Sequence, residues 1–240
     1  MKSTLIIFIL IFSPLLLAEN PKEIIVATKS WKGATNRDGT GLYWDIIKEV
    51  YEPLGYTIIK KYKSYDEAAE MVRTNNADIY LAAYTNQKGF ALYPRHYFDQ
   101  DVVVAIFRKD AVEKWEGRKS LEGLKVGWVR GYDYDKYLNV KVDREELSNR
   151  NNGMKQLTNE RLDAFVDTRE HIKPYFQKAK LDPEDFGKKI ILQLKLFPAF
   201  AKTVKGQTLI AIWDKRMKEL IKTEEFKNLY YESEYTIFPY

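Results

Sequence analysis

The chain of 240 residues carries 39 Lys and Arg against 34 Asp and Glu, a net charge of +5, and has no cysteine. Disulfides, thiolate metal sites and lipid attachment at a processed N-terminal cysteine are thereby excluded. The small basic excess is spread along the chain without a long Lys/Arg run, so it reads as solubility, and no nucleic-acid partner is expected.

Residues 1–18 read as a secretory signal peptide cut after Ala18, with Lys2, an apolar stretch over residues 5–12 and a break at Ser13-Pro14. A retained anchor is the rival, but that apolar stretch is short for a spanning helix. The expected location is the periplasm, as a soluble protein. What remains suits one large domain or two modest lobes.

From Pro21 onward, strand and helix alternate. Residues 23–28, with Ile24-Ile25-Val26, form a first strand; residues 29–40, rich in Gly, Asn and Asp, a loop. Leu42, Ile46, Ile47, Val50 and Leu54 recur at helical spacing until Pro53 and Gly55 stop them. Residues 56–62 are a second strand, and Ser64-Tyr65-Asp66-Glu67 is a capping box opening a helix through Val72. The apolar run at residues 79–83 is a buried strand that ends in Tyr84, Thr85, Asn86, Gln87 and Lys88. Open α/β sheets build ligand sites at such carboxyl ends. This β-α-β-α-β order calls for a mostly parallel sheet with right-handed crossovers.

Residues 101–107 are a β-branched run, after which the alternation restarts. Strands are expected at 125–129, 162–166 and 189–196. Helices are expected at 134–138, 152–159, 169–180 (interrupted at Pro174), 206–222 and 224–231. The fold class is α/β, with two lobes and two crossings: residues 19–106 and 197–240 form lobe one, residues 107–196 lobe two. The hinges fall near residues 105–108 and 193–197.

Taken together, the chain resembles the bacterial family 3 extracellular solute-binding proteins, the periplasmic receptors of polar amino acid ABC transporters. The resemblance is carried by Trp31, Gly41-Leu42-Tyr43-Trp44-Asp45, Ala77-Asp78-Ile79, Ser120 to Gly127, Asn159 to Ala164, and the tail from Ala199-Phe200-Ala201-Lys202 through Tyr230. It implies a type II periplasmic-binding-protein fold, each lobe a mostly parallel sheet flanked by helices, with ligand held between the lobes. No cofactor and no metal are expected.

The resemblance further implies an aromatic platform, for which Trp31 is the first candidate and Tyr65 the second, with Tyr84 and Thr85 at the end of the third strand. Where relatives place an arginine for the ligand carboxylate, this chain has Lys88, a point charge without the planar fork. Arg95 or Arg130 are the alternatives. In lobe two, Arg130-Gly131-Tyr132-Asp133 replaces a small hydroxyl-rich turn; Gly131 permits close backbone approach, and Asp133 either caps a helix or receives a cationic group. Asp167 either accepts a ligand ammonium or caps the helix that follows. A small polar ligand, carboxylate-bearing, is the expected guest, presented by a monomer to an inner-membrane ABC permease.

A ligand sensor feeding a receptor needs the same closing lobes and stays open as an alternative. A dehydratase-type enzyme is the weaker rival, because acid–base chemistry needs a group in the cleft. Of the two histidines, His96 is expected near the cleft and His171 on the surface.

Overall fold

The computed structural model describes residues 22–85, 89–179, 181–233 and 238–240; residues 1–18, expected as a signal peptide, and Lys88 therefore lie outside the described residues. A nine-stranded sheet in the order β2-β1-β3-β9-β5-β8-β6-β7, with β4 on β9, organises them. Its strands are β1 (Lys22–Thr28), β2 (Tyr56–Tyr62), β3 (Ile79–Ala83), β4 (Ala91–Leu92), β5 (Asp99–Arg108), β6 (Lys125–Val129), β7 (Asp143–Leu147), β8 (Ala164–Thr168) and β9 (Phe186–Ala201).

The sheet divides into two halves built alike. In the first, β1 pairs β2 and β3 in parallel and β9 closes the edge antiparallel; in the second, β6 pairs β7 and β8 in parallel and β5 closes antiparallel. Each half is the βαβ alternation of the sequence plus one returning strand. The returning strands β5 and β9 pair with each other from Asp99↔Leu196 to Arg108↔Phe186, joining the halves.

Helices α1 (Leu42–Tyr51) and α2 (Tyr65–Arg73) flank the first half, joined by α6 (Val204–Leu220) and α7 (Glu224–Tyr231) from the end of the chain. The second half carries α3 (Asp135–Leu138), α4 (Arg150–Thr158) and α5 (Arg169–Ala179). Helix α1 buries Leu42, Ile46, Ile47, Val50 and Tyr51, the apolar face seen in the sequence. It stops at Tyr51, three residues early, because Pro53 and the left-handed Gly55 (φ 78°) convert its last turn to a 3-10 turn. Helix α5 runs through Pro174 without interruption; the N–H that proline lacks would have bonded the carbonyl of Glu170 within the first turn and a half.

The capping box forms as read: the Ser64 hydroxyl accepts from the Glu67 N–H at 3.3 Å and the Glu67 carboxylate accepts from the Ser64 N–H at 2.8 Å. Ser64→Ala is expected to lower stability by about 1 kcal/mol, measured by urea unfolding; no change would mean that Glu67 alone sustains the cap.

Three features depart from the sequence reading. Strand β7, Asp-Arg-Glu-Glu-Leu, has no apolar alternation because it is an edge strand, and Arg144 pairs with Asp135 and Glu146 along it. Strand β9 is twice the expected length, since Phe197 to Ala201 continue into the first half against β3 and β4. Residues 105–108, where the first hinge is expected, lie within β5, whose Val103 to Phe107 pair β8, and just before β5 the Phe98 N–H donates to the Leu196 carbonyl. The lobe boundary expected at residue 106 accordingly falls within β5. Strand β9 changes partner between Leu196, which pairs β5, and Phe197, which pairs β3.

Close to that change, β3 and β9 lose register between Tyr80 and Ala83. Pro198 stands opposite, with no N–H to give the ladder, and Ala82 takes the left-handed conformation at φ 61°. The bulge turns the end of β3 toward the gap between the halves.

Candidate functional site

The gap between the halves is lined by Trp31, Tyr43, Tyr65, Tyr84 and Tyr132 with Ala82, Asp101, Thr168, His171 and Leu196. Trp31 lies in the loop after β1, where its N–H donates to the Thr35 hydroxyl at 3.0 Å and that hydroxyl donates to the Lys29 carbonyl at 2.7 Å. The buried threonine thus holds the loop in shape. Tyr65 opens α2 and donates its hydroxyl to the carbonyl of the bulged Ala82 at 3.2 Å. Tyr84, next after β3, donates to the Asp101 carboxylate at 2.7 Å.

Rings meet across the gap. Tyr65 and Tyr132 lie 6.0 Å apart and 14° from parallel, and Tyr132 continues onto Tyr134 at 5.7 Å and 8°. The Tyr137 hydroxyl donates to the Thr85 carbonyl at 3.3 Å. The cavity left between them is about 20 Å³, room for one water molecule. A solute the size of an amino acid therefore enters only when the halves part.

Gly131 marks how close the halves come. Its φ is +91°, and a Cβ there would stand 2.8 Å from both carboxylate oxygens of Asp66 on α2. Gly131→Ala is expected to hold the cleft open, read as a larger radius of gyration in small-angle scattering; an unchanged radius would mean that this approach does not keep it shut.

Charged groups gather at the floor of the cleft. Asp167, at the end of β8, is fully buried and accepts the Thr168 N–H at 2.7 Å. Arg150, at the start of α4, brings its Nε to 2.7 Å from Asp167 Oδ2 and donates through Nη2 to Asp167 Oδ1 at 3.2 Å and to the Tyr132 hydroxyl at 3.1 Å. Burial works against the Arg150 charge, but Asp167 and Tyr132 outweigh it and hold the guanidinium charged; burial raises the Asp167 carboxyl, with Arg150 and the Thr168 N–H pulling it back down. Burial lowers Lys29, Arg150 lowers it further, and Asp167 opposes both. His171, whose Nδ1 lies 2.8 Å from the Thr168 hydroxyl, is held down to about 3 by burial and then by Arg150 and Lys29; it is neutral. Asp101 on β5 is pushed up to about 7, first by burial and further by Asp99 and Asp167, with the Tyr84 hydrogen bond and Arg150 pulling the other way.

Of the residues expected at the site, Trp31, Tyr65, Tyr84 and Tyr132 line the cavity, Gly131 closes against α2, and Asp167 lies just behind the wall. Others are elsewhere. Arg95 is exposed and its N–H donates to Asp214 on α6 at 2.8 Å. Arg130 is exposed beside Glu146, 3.5 Å away. Asp133 pairs with Lys136 at 2.8 Å and Thr85 is exposed, its carbonyl meeting the second half. The histidines exchange places: His96 packs on Asp214 of α6, 3.2 Å away, whereas His171 lines the cavity because α5 starts immediately after β8 and puts it in the first turn. Asp101, Arg150, Thr168 and His171 are the site residues that the sequence reading missed. Arg150 follows β7, and an unrecognised charged strand hid the helix start behind it.

No protein-family model matches the chain, and no curated protein matches it by sequence. Solved structures do share its fold. A substrate-binding protein of an ABC uptake transporter from Streptococcus pneumoniae, solved with bound histidine, superposes with a TM-score of 0.63 at 15% identity, covering 88% of this chain and 92% of that one. An ancestral amino acid-binding protein described as a precursor of cyclohexadienyl dehydratase gives 0.64 at 17% identity, covering 88% and 94%. A histidine kinase sensor domain similar to periplasmic binding proteins gives 0.71 at 14% identity, covering 92% of this chain and 100% of that domain. The chain thus has the α/β periplasmic-binding-protein fold that substrate-binding proteins of amino acid ABC transporters share.

Proposed function

We propose that this chain is an exported solute-binding protein that captures a small polar solute, an amino acid or a related compound, between the two halves of its sheet. The observation that carries the reading is the convergence of aromatic rings and buried charged side chains on one cleft between two halves joined by paired strands. Flat apolar faces exclude water and strengthen the polar contacts among them. Closure follows from contacts that a solute makes to both halves at once. Residues 1–18 direct the chain to the periplasm, and the closed form is what an inner-membrane ABC permease recognises. No helix among the described residues is long and apolar enough to cross a membrane. The chain acts by binding, without catalysis and as a monomer.

The carboxylate anchor expected from the sequence is not part of this proposal, since Arg95 and Arg130 are exposed away from the cavity and Lys88 lies outside the described residues. Sensing is the second reading, favoured by the likeness to a histidine kinase sensor domain over its whole length.

Thermal unfolding of residues 19–240 against free amino acids, amines and small organic acids tests the proposal. A solute at about a thousand times its Kd adds roughly 4 kcal/mol, a shift on the order of ten degrees for a chain this size. A panel without any shift, on folded protein free of carried-over solute, contradicts the reading.

A further inference from the structure

We propose that the solute is a small organic ammonium ion without a carboxylate, seated against Asp101 within the rings of Trp31, Tyr65, Tyr84 and Tyr132. This rests on the solute-binding reading above and names the chemical class that the cleft selects.

The charges on the cavity wall carry the argument. Among the described lining residues, Asp101 is the single carboxylic acid, and none is a lysine or arginine. Among the described residues its hydrogen-bond partner is the Tyr84 hydroxyl, a neutral group, and no cation pairs with it. Asp167 differs, because Arg150 and the Thr168 N–H already answer it. Arg150 is equally committed, to Asp167 and to the Tyr132 hydroxyl, and its guanidinium lies 5.7 Å over the Tyr132 ring. His171 lines the wall as a neutral imidazole. Lys29 is not among the lining residues. Among the described residues, the wall therefore offers a negative site to a guest and no uncommitted positive one.

The rest of the wall is aromatic. Trp31 stands 6.5 Å from Tyr43 and 6.4 Å from Tyr65, at steep angles, so ring faces and edges enclose the cavity from several sides. Ring faces attract a desolvated cation, and several rings around one point form a cage for ammonium groups. A carboxylate on the same guest would meet Asp101 and the negative faces of these rings. Such a guest is disfavoured by the same fields that hold the cation.

Binding and protonation are linked. Asp101 is flanked by Asp99 on its own strand, Asp167 on β8, Arg150 on α4 and Tyr84 after β3. A bound ammonium favours the ionised carboxylate and expels the proton that burial retains. Affinity then rises with pH up to about 7 and levels off above it.

Titration calorimetry of residues 19–240 with methylammonium, tetramethylammonium, choline and glycine betaine tests the assignment. At least one of the first three is expected to bind, more tightly at pH 8 than at pH 6. Glycine betaine, which shares the trimethylammonium group but adds a carboxylate, is expected to bind at least roughly tenfold more weakly than choline. Asp101→Asn, which keeps the size and the Tyr84 hydrogen bond, is expected to weaken the cation by on the order of thirtyfold with an unchanged circular dichroism spectrum. Binding of glycine betaine or of amino acids without the cations overturns the ammonium assignment and leaves solute binding standing. Cation binding indifferent to Asp101→Asn overturns the assignment to this site. No binding by any amine, amino acid or acid overturns both.

Discussion

Asp101→Asn is expected to stabilise the protein at pH 8 and to leave it nearly unchanged at pH 4. The carboxyl of Asp101 titrates at about 7 in the folded chain against 3.8 for an unburied one. Between those values the folded state keeps a proton that the unfolded state has released, so stability falls as pH rises, by about 1.4 kcal/mol per unit at most. Over about three units the ceiling is near 4 kcal/mol. Because Asp101 is not fully enclosed, about half of that is the reasonable figure. Asparagine carries no charge to bury, and its carbonyl still accepts from Tyr84. The expected result is a gain of about 2 kcal/mol at pH 8, several degrees in melting temperature, shrinking to near zero at pH 4. A gain independent of pH would show that the carboxylate is not held above its ordinary range. A binding site that carries an unneutralised acid gives up stability for function, and this substitution reads that cost directly.

Arg150→Ala is expected to be the most damaging single change in the cleft. It strips the cation from Asp167, whose side chain is 1% exposed, while Arg150 itself is 12% exposed. Breaking a buried pair from one side leaves a charge without compensation and costs about 3–5 kcal/mol. Removing both charges together, in Arg150→Met with Asp167→Asn, removes that penalty and is expected to recover most of the loss. Urea unfolding of the single and double variants yields the coupling between the two residues. A loss below about 1 kcal/mol for Arg150→Ala would mean that water screens the pair as it screens surface ion pairs.

Much of the architecture was legible because the chain keeps local and global preferences consistent. The apolar runs at β1, β3 and β6, the helical spacing in α1 and the capping box of α2 point to the same elements that form. What stayed hidden follows from environment. Strand β7 needs no apolar face at the sheet edge, so its charged sequence resembles a loop. The reach of β9 into both halves, past Pro198, depends on a bulge in β3 that no periodicity reveals.

The site divides along the same line. Trp31, Tyr65, Tyr84 and Tyr132 are large aromatics at strand ends and loop positions, where the fold implied by resemblance points them inward. The charges were harder to place. Asp101 reads as the polar start of a strand, and its importance comes from burial beside Asp99 and Asp167, a product of tertiary packing alone. His171 reads as a surface histidine in a polar helix until α5 is seen to begin directly after β8. Arg95 and Arg130 have the right chemistry for a carboxylate and stand outside the cavity. The anchor inferred from a family pattern at one position does not transfer to another arginine merely because it is near in sequence.

The measurement that tests the central claim most directly is calorimetric titration of residues 19–240, wild type and Trp31→Ala, with each compound that raises the melting temperature. One solute per chain is predicted, with affinity lowered roughly thirtyfold or more by loss of a buried aromatic anchor. Equal affinity in the two proteins would place the solute outside the cleft and contradict the account.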